Sequence, residues 1–563
     1  MQPLGSLGNR RFEIMALCYT QAEELNRMKQ PGRLALVLLT VAFCALLGGV
    51  YGQRVEATNN AEESDVQVNL RAFTTAYRVV EENYADRIDA DKAIFGSNDA
   101  DGGAIPGMLN VLDPHSSFFD PRHFSELREQ MQGKYFGVGM RIQNRPGKTG
   151  KLITIVYLPI PGSPAFRAGL RPGDIIVRVD GKPVIGLESA KVADLLKGPK
   201  GTVVHISVSR EGSEPPLEFT ITRDEISPHS VDAAFFIRPG IAYIHILTFN
   251  ETTNDELTDA LNKMDSKTLR GLILDLRGNG GGLLQEAVEV ASHFLEKNQL
   301  VVYDNGRRSR EKRYYAIKDN NRADCPIVVL INRLTASASE IVTGALQDHD
   351  RALVMGEPSF GKGLVQTEFP LSDRTMLLLT TAHYFTPSGR LIQRDYTNVS
   401  LYDYYYRSEA SPTPRNEVRL TDGGREVYGG GGITPDVQVP EEEPNPAQKK
   451  LLAHSAFFNF GKYYLGIYQT VPPDFQVTDR VIDDFRRFLA REHISLSEQD
   501  IKQNLEYIQN RIRVQLVTAI YGQTEGDRLN VESDPLVLKA LDSLSNAKQL
   551  MANAKKYMAV RRQ

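Results

Sequence analysis

The feature that most constrains this chain is a series of apolar segments that alternate with helical patterns after Asp224. Strand-length apolar runs are separated there by segments whose apolar residues recur at helical spacing. The predicted strands, all expected to be buried, are 241–247, 272–276, 327–331, 353–355 and 375–381, and the predicted helices are 255–264, 285–295 and 338–346. This alternation is typical of α/β proteins. The sequence therefore predicts an α/β core over 224–440.

The preceding segment, 133–223, has a different pattern of short strands and turns. The predicted strands are 135–142, 152–157, 175–179, 203–210 and 217–222. A small helix is expected after Ser163 and Pro164, because a capping serine, a first-turn proline and the later Gly169 mark its two ends. A second helix is expected over 188–197. These elements predict a separate half-barrel domain.

Helical regions flank these two parts. Within 56–132, apolar residues recur at helical spacing from Leu70 to Tyr84, which predicts an amphipathic helix. Residues 441–563 begin with an acidic linker and become helical. Two apolar stripes occur there: Val481, Ile482, Phe485, Phe488 and Leu489, then Ile501, Leu505, Ile508, Ile512, Leu516 and Ile520. Such helices could pack on the core or form a homo-oligomer, and both alternatives stay open.

The N-terminal part, 1–55, contains an uncharged apolar run over 34–51 that is just long enough to span a bilayer. Arg27, Lys29 and Arg33 precede it and favour a cytoplasmic N-terminus. A cleaved signal peptide starting at Met28 fits nearly as well. Both alternatives, a transmembrane anchor or a signal, place the rest of the chain outside the cytoplasm, on the periplasmic side.

Composition excludes several classes of function. The 563 residues carry a net charge of −4, with 41% apolar and 24% charged residues, so no basic excess is available to bind nucleic acid. The cysteines, Cys18, Cys44 and Cys325, are far apart and lack metal-ligand spacing. We therefore expect no disulfide framework, no metal site and no nucleic-acid partner.

Ser337 is the first candidate for chemistry. With Glu340 it fits a capping box at the start of the predicted helix, which is the ordinary explanation for such a serine. The start of a helix also presents unpaired amides and the positive end of the helix dipole, which suit a nucleophile whose attack creates an oxyanion. Both interpretations remain open for the serine alone.

A nucleophilic serine requires a base. His349 is the nearest histidine in sequence, but it lies near the opposite end of the predicted helix and cannot serve Ser337 locally. Lys362 is the better candidate because it stands between Gly361 and Gly363, and Gln366 shares its face of the following strand. Burial would have to lower its pKa for it to act as a base. A Ser-His-Asp triad built from distant loops is not excluded.

A glycine-rich stretch, D-L-R-G-N-G-G-G over 275–282, ends one predicted strand and begins a helix. Its backbone amides could donate to an oxyanion, although such a turn could equally bind a phosphate or serve only as a turn.

Several motifs together resemble a known family. They are L-D-P-H-S-S-F-F (112–119), D-L-R-G-N-G-G-G (275–282), T-A-S-A-S-E-I (335–341), F-G-K-G-L-V-Q (360–366) and G-G-I-T-P-D-V (431–437). In this order they are similar to those of the carboxyl-terminal processing, or tail-specific, serine peptidases. The segments 135–140, 164–181 and 198–204 together resemble a PDZ domain.

The resemblance implies a crotonase-like peptidase core with an inserted PDZ domain and no cofactor. It implies that Ser337 is the nucleophile, Lys362 the general base and Gln366 its orienting partner. The oxyanion hole would combine the Ala338 amide with that of Gly280 or Gly281. The PDZ groove would bind the C-terminal tails of protein substrates, with the terminal carboxylate held by the loop Phe136, Gly137, Val138 and Gly139.

Two other classes compete with this hypothesis. Residues 356–362 match a phosphate-binding loop up to the lysine, but Gly363 stands where a serine or threonine is needed, and a strand is predicted where a helix should begin. A non-catalytic PDZ adaptor would not need Ser337, Lys362 and Gln366 together. The segment 394–432 departs from the family pattern. We expect it to be a long exposed loop, although its tyrosines could line a peptide channel.

Overall fold

The computed structural model describes residues 66–85, 87–96, 102–147, 150–210, 213–264, 268–318, 324–372, 375–397, 399–406 and 417–561. The chain divides into two units, one ending at Gly96 and one from residue 97 onward. In the first unit, residues 66–83 and Ala90–Phe95 are helical, which confirms the predicted N-terminal helix. The apolar run 34–51 lies outside the described residues. In the part of the chain that is described, no helix is long and apolar enough to cross a membrane.

The α/β core is built on a six-stranded sheet. Its strands, in spatial order, are Val231–Arg238, Ile241–Ile246, Gly271–Asp275, Ile327–Ile331, Leu353–Gly356 and Val437–Gln438. The first two are antiparallel, and each later neighbour pairs in parallel. The carboxyl ends of parallel strands lie at one edge of a sheet, so the loops after Asp275, Ile331 and Gly356 are neighbours.

Both faces of this sheet are covered. The helices Thr253–Lys263, Leu284–Ser292 and Ala338–Asp348 pack on one face. The last helix, Pro535–Arg561, packs Val537, Ala540 and Leu544 against the other face. Burial on both faces explains why strands such as Gly271–Asp275 are continuously apolar until their last residue.

A second, antiparallel sheet lies beside the core. Its strands are Ser117–Phe119, Leu300–Asn305, Lys312–Tyr315, Leu364–Ser372 and Thr375–Phe385. The strand expected over 375–381 is therefore present, but it is longer than predicted. Most of its residues are half-buried. The prediction that residues 375–381 are buried was wrong for all of them except Met376.

The PDZ region forms its own antiparallel sheet and core. The strands are Met140–Pro146, Leu152–Pro159, Ile175–Val179, Lys182–Pro183, Val203–Ser209 and Leu217–Thr222, with helices Pro164–Arg167 and Ser189–Leu196. The strand expected over 135–142 is interrupted, because Gly139 has a φ of 77°. Its first part, Tyr135–Gly137, pairs instead with Asp224–Ile226, so the two chain segments that enter and leave the domain are hydrogen-bonded to each other.

The remaining helices are short before the PDZ region and numerous after the core. They are Ala104–Asn110, Pro121–Gln132, Pro446–Ala453, Ala456–Tyr468, Asp479–Arg491, Glu498–Gln503, Leu505–Tyr521 and Gln523–Glu532. Both predicted C-terminal stripes pack into one core within the chain. Phe458 stacks on Tyr157 of the PDZ sheet, with ring centroids 5.8 Å apart. These helices therefore pack against the PDZ domain as well as against the six-stranded sheet.

The segment 394–432 is more ordered than expected. Leu401–Tyr406 forms a short helix, and Val418–Leu420 pairs with Glu426–Tyr428 in a hairpin. Tyr404 is only 1% exposed. The prediction of a long irregular loop was wrong for these parts, and Tyr404 is buried, whereas Val418–Leu420 is exposed as expected.

Candidate active site

Ser337 lies in the turn between strand Ile327–Ile331 and helix Ala338–Asp348. Its φ of 55° and ψ of −116° belong to a region that residues other than glycine seldom adopt, at a cost of about 1–3 kcal/mol. A sharp, strained turn from strand to helix raises a serine side chain out of the backbone and is typical of nucleophiles. The capping interaction with Glu340 is also present, since the Ser337 amide donates to Glu340 Oε2 at 2.8 Å.

The glycine-rich loop 278–282 packs directly against this turn. Asn279 joins the two, because its carbonyl accepts from the Ala336 amide at 2.9 Å. A Cβ added to Gly281 would lie 2.7 Å from Ser337 Cβ and 2.9 Å from the Ala338 amide nitrogen. Only a glycine therefore allows the loop to approach the serine this closely.

The structure distinguishes the two candidate glycines. The Gly281 amide already donates to Asn279 Oδ1 at 2.8 Å. Within the described residues, the amides of Gly280 and Ala338 donate to no protein acceptor. The geometry favours Gly280 over Gly281 as the second amide donor to an oxyanion.

A buried ion pair shapes the start of the same loop. Asp275 is 1% exposed, and its carboxylate accepts from Arg277 Nε at 3.0 Å and from the Tyr243 hydroxyl at 2.8 Å. Burial acts to raise the pKa of Asp275, but Arg277 outweighs it and holds the pKa below its usual value. Arg277 also contacts Asp534 in the C-terminal region at 3.0 Å. The sequence of this stretch indicated a role for its glycines but not this ion pair.

Lys362 follows the neighbouring strand end at Gly356. Its Nζ donates to Gln366 Oε1 at 2.7 Å, as the strand periodicity predicted. Burial lowers the pKa of Lys362, while the charges of Asp113 and Glu340 act in the opposite direction. Among the described residues, no hydrogen bond joins Lys362 Nζ to the Ser337 hydroxyl. His349 is occupied elsewhere, since its ring nitrogens contact Asp422 at 2.7 Å and the Leu300 carbonyl at 2.8 Å.

Glu340 connects the turn that carries Ser337 (residues 332–337, the serine turn) to the loop that carries Lys362 (residues 357–363, the lysine loop). It is fully buried, and Oε2 accepts from the amides of Ser337 and Lys362 at 2.8 and 2.9 Å. Its Oε1 accepts from the Gly361 amide at 2.7 Å and from the Ser359 hydroxyl at 2.5 Å. Burial raises the pKa of Glu340, and these four donors oppose that shift. The capping-box motif located this residue in the sequence but not its contacts with residues 359–362.

The PDZ loop over 136–139 is held by hydrogen bonds to residues 163–165 of the same domain. Ser163 Oγ donates to the Gly139 carbonyl at 2.7 Å, and the Ala165 amide donates to the Val138 carbonyl at 2.8 Å. Among the described residues, the amides of Val138 and Gly139 have no acceptor, and no hydrogen bond links Phe136, Gly137, Val138 or Gly139 to Ser337 or Lys362. The residues 356–362 are followed by strand Leu364–Ser372, so the helix that a phosphate-binding loop requires is not formed there.

Comparisons with known proteins agree with this architecture. Residues 240–399 match the model of peptidase family S41, and residues 155–210 match that of the PDZ domain. The chain is 38% identical to a carboxy-terminal-processing protease of Bartonella bacilliformis, over 60% of this chain and 75% of that protein. It is 33% identical to the carboxy-terminal processing protease CtpB of Bacillus subtilis, over 60% of this chain and 68% of that protein. A solved photosystem II D1 C-terminal processing protease is 30% identical, with a TM-score of 0.33, over 65% of this chain and 92% of that one.

The two family-model matches and the two protease relatives define a serine-type endopeptidase that carries a PDZ domain. The chain belongs to the carboxy-terminal processing proteases of peptidase family S41.

The contact between Gly281 and Ser337 makes a prediction for the loop. We expect Gly281→Ala to lower kcat/KM by about 100-fold, the size of effect seen when an oxyanion donor is lost, because the methyl group would push the loop away from the serine. Gly280→Ala should have a much smaller effect, since the space around Gly280 is open and the amide is retained. Steady-state cleavage of a tailed peptide would measure both. Equal losses in the two variants would contradict the assigned geometry.

Proposed function

We propose that the protein cleaves peptide bonds with a Ser337/Lys362 dyad and that its PDZ domain captures the C-terminal tails of protein substrates. The observation that supports this best is that the serine turn and the lysine loop are both hydrogen-bonded to one carboxylate, that of Glu340. Glu340 accepts hydrogen bonds from the amides of Ser337 and Lys362, so the serine turn and the lysine loop are held in a fixed relative position. Burial of the Lys362 amine favours the neutral form that a general base requires.

In the proposed reaction, neutral Lys362 takes the proton of the Ser337 hydroxyl while Oγ attacks the scissile carbonyl carbon. The amides of Ala338 and Gly280 donate to the resulting oxyanion. The Lys362 ammonium then gives its proton to the leaving amine, and an acyl-enzyme remains on Ser337. Lys362 next removes a proton from water, whose oxygen attacks the ester carbonyl; the bond from that carbon to Ser337 Oγ then breaks, Lys362 returns the proton to Oγ, and the acid product leaves. Gln366 Oε1 accepts a hydrogen bond from Lys362 Nζ and orients it throughout.

Tail capture is supported by the PDZ sheet. Strand Met140–Pro146 is at the edge of that sheet, so one side of its backbone is available to an added strand. The amides of Val138 and Gly139, which have no acceptor in the part of the chain that the structure describes, lie directly before it and are placed to hold a terminal carboxylate. The proposed substrates are proteins or peptides with accessible C-terminal tails.

We also propose that the core is crotonase-like and that the N-terminal segment acts as a membrane anchor or cleaved signal. The proposed domains are 1–55, 56–132, 133–223, 224–440 and 441–563. The body of the protein would then function on the periplasmic side. Homo-oligomerisation through helical regions stays open, although the C-terminal stripes are used within the chain.

The experiment is to trap the acyl-enzyme. The protein is mixed with an unfolded test protein that ends in an apolar tail, quenched in acid during turnover, and mapped by mass spectrometry. We expect an acyl adduct on the peptide that contains Ser337, and slower cleavage when the tail carboxylate is amidated. Cleavage accompanied by an acyl adduct on another peptide would contradict the Ser337 mechanism. So would cleavage without any adduct under conditions in which deacylation limits the rate. Tail binding without any cleavage would favour the adaptor alternative.

A further inference from the structure

The helix Leu401–Tyr406 has no role in the mechanism above, although its tyrosines contact residues that lead to Lys362. The Tyr404 hydroxyl lies 2.9 Å from His115 Nε2 and accepts a hydrogen bond from Gln393 Nε2 at 3.2 Å. Because a side-chain amide nitrogen can only donate, the hydroxyl proton of Tyr404 is directed to His115 Nε2. The Tyr405 hydroxyl donates to the Pro114 carbonyl at 2.9 Å and lies 3.4 Å from His115 Nδ1. The two adjacent tyrosines are therefore hydrogen-bonded to one turn, residues 113–116.

This network assigns a neutral His115 with its proton on Nδ1, as inferred from its partners. Burial and the nearby charge of Lys362 lower the pKa of His115 to about 4, with Asp113 acting in the opposite direction. The Asp113 carboxylate shapes the turn itself, since Oδ1 accepts from the amides of His115 and Ser116 at 2.8 and 2.7 Å. The turn is therefore held both from within and by the tyrosines.

From this turn, two routes lead to Lys362. The His115 carbonyl accepts from Gln366 Nε2 at 2.5 Å, and Gln366 Oε1 accepts from Lys362 Nζ at 2.7 Å. On the other side, Gln393 Oε1 accepts from the Gly363 amide at 2.8 Å. Tyr404 contacts both His115 and Gln393, so it lies where the two routes meet.

We propose that Tyr404 is a positioning residue: it holds His115, which positions Gln366, and it contacts Gln393, which accepts from the Gly363 amide, so that the Lys362 amine stays in its buried position. The inference rests on the proposed Ser337/Lys362 mechanism and gives a role to a segment that otherwise departs from the family pattern. The groups whose charge or titration bears on Lys362 are Asp113, Glu340 and His115. Tyr404 acts on the base through geometry and carries no charge itself.

The test compares Tyr404→Phe with Tyr406→Phe across pH 6 to 10. Tyr406 is the matched control, because it lies on the same helix, is 73% exposed, and its hydroxyl has no hydrogen bond among the described residues. We expect Tyr404→Phe to lower kcat about tenfold at neutral pH, the scale of one lost hydrogen bond, with KM little changed. The midpoint of the pH profile of kcat should move upward, because a less firmly held amine gains water and a more ordinary pKa.

A structural role alone would reduce kcat equally at every pH, and a profile parallel to that of the parent would overturn the inference. A second comparison adds Tyr404→Phe to Gln366→Ala. If the tyrosine acts through Gln366, the double variant should be no slower than Gln366→Ala, whereas a further tenfold loss would contradict that route. Thermal unfolding of each variant establishes that the protein is folded.

Failure of the inference can be separated from failure of the mechanism by including Lys362→Ala. If Lys362→Ala keeps its activity, the proposed dyad is wrong and the Tyr404 inference falls with it. If Lys362→Ala is inactive while Tyr404→Phe behaves like Tyr406→Phe at every pH, only the positioning role of Tyr404 is wrong.

Discussion

Lys362→Ala and Ser337→Ala are each expected to lower kcat by about 10⁴-fold or more, the scale found when one member of a catalytic unit is removed. The double variant should be no slower than the slower single variant, because the two residues act together. In the parent, kcat should rise with pH as Lys362 loses its proton, with a midpoint below the usual value near 10.5, since burial lowers the pKa of this amine. Cleavage of a tailed test protein over pH 6 to 10 would measure both effects.

The control for these variants is tail binding, which should be unchanged because the PDZ loop makes no hydrogen bond to Ser337 or Lys362. Addition of a chelator should leave the parent rate unchanged, since no step of the proposed reaction uses a metal. If Lys362→Ala retains substantial activity, the base lies elsewhere, and the histidine triad that the sequence left open must be reconsidered.

Glu340→Ala is expected to have the second largest effect, on stability as well as activity. The change would leave the buried amides of Ser337, Gly361 and Lys362 without their acceptor, and each unpaired buried group costs about 1–3 kcal/mol. We therefore expect a loss of about 3–5 kcal/mol in the free energy of unfolding. We also expect kcat to fall, because the serine turn and the lysine loop are no longer joined by a shared acceptor. Denaturant unfolding and cleavage assays would measure the two effects.

Two comparisons make the Glu340 result specific. Glu340→Gln keeps the size of the side chain but offers one acceptor oxygen instead of two, so its effect should be intermediate. Glu296→Ala removes an exposed glutamate and should change neither quantity appreciably. A stable and fully active Glu340→Ala protein would show that the two loops are held together by other contacts.

The sequence predicted the core elements with small errors at their ends. Strand Ile327–Ile331 was predicted with the observed limits, and the helix expected at 338–346 is Ala338–Asp348. These predictions succeeded because apolar periodicity and capping are encoded within a few neighbouring residues. The failures were at 135–142, at 375–381, where the strand is longer and less buried than predicted, and at 394–432. The first and the last have physical causes. In the first, one glycine with positive φ ends the strand, and in the last, burial of Tyr404 stabilises a helix that local sequence does not favour.

The sequence by itself also determined the candidate chemistry, since Ser337, Lys362 and Gln366 stand in recognisable local motifs. Only the tertiary structure favours the amide of Gly280 over that of Gly281 as the proposed oxyanion donor, because the Gly281 amide already donates to Asn279. It alone showed that Glu340 joins two loops and that Tyr404 contacts His115, 289 residues away in sequence. Such contacts depend on how the strand ends and turns pack together, and no pattern of neighbouring residues encodes them.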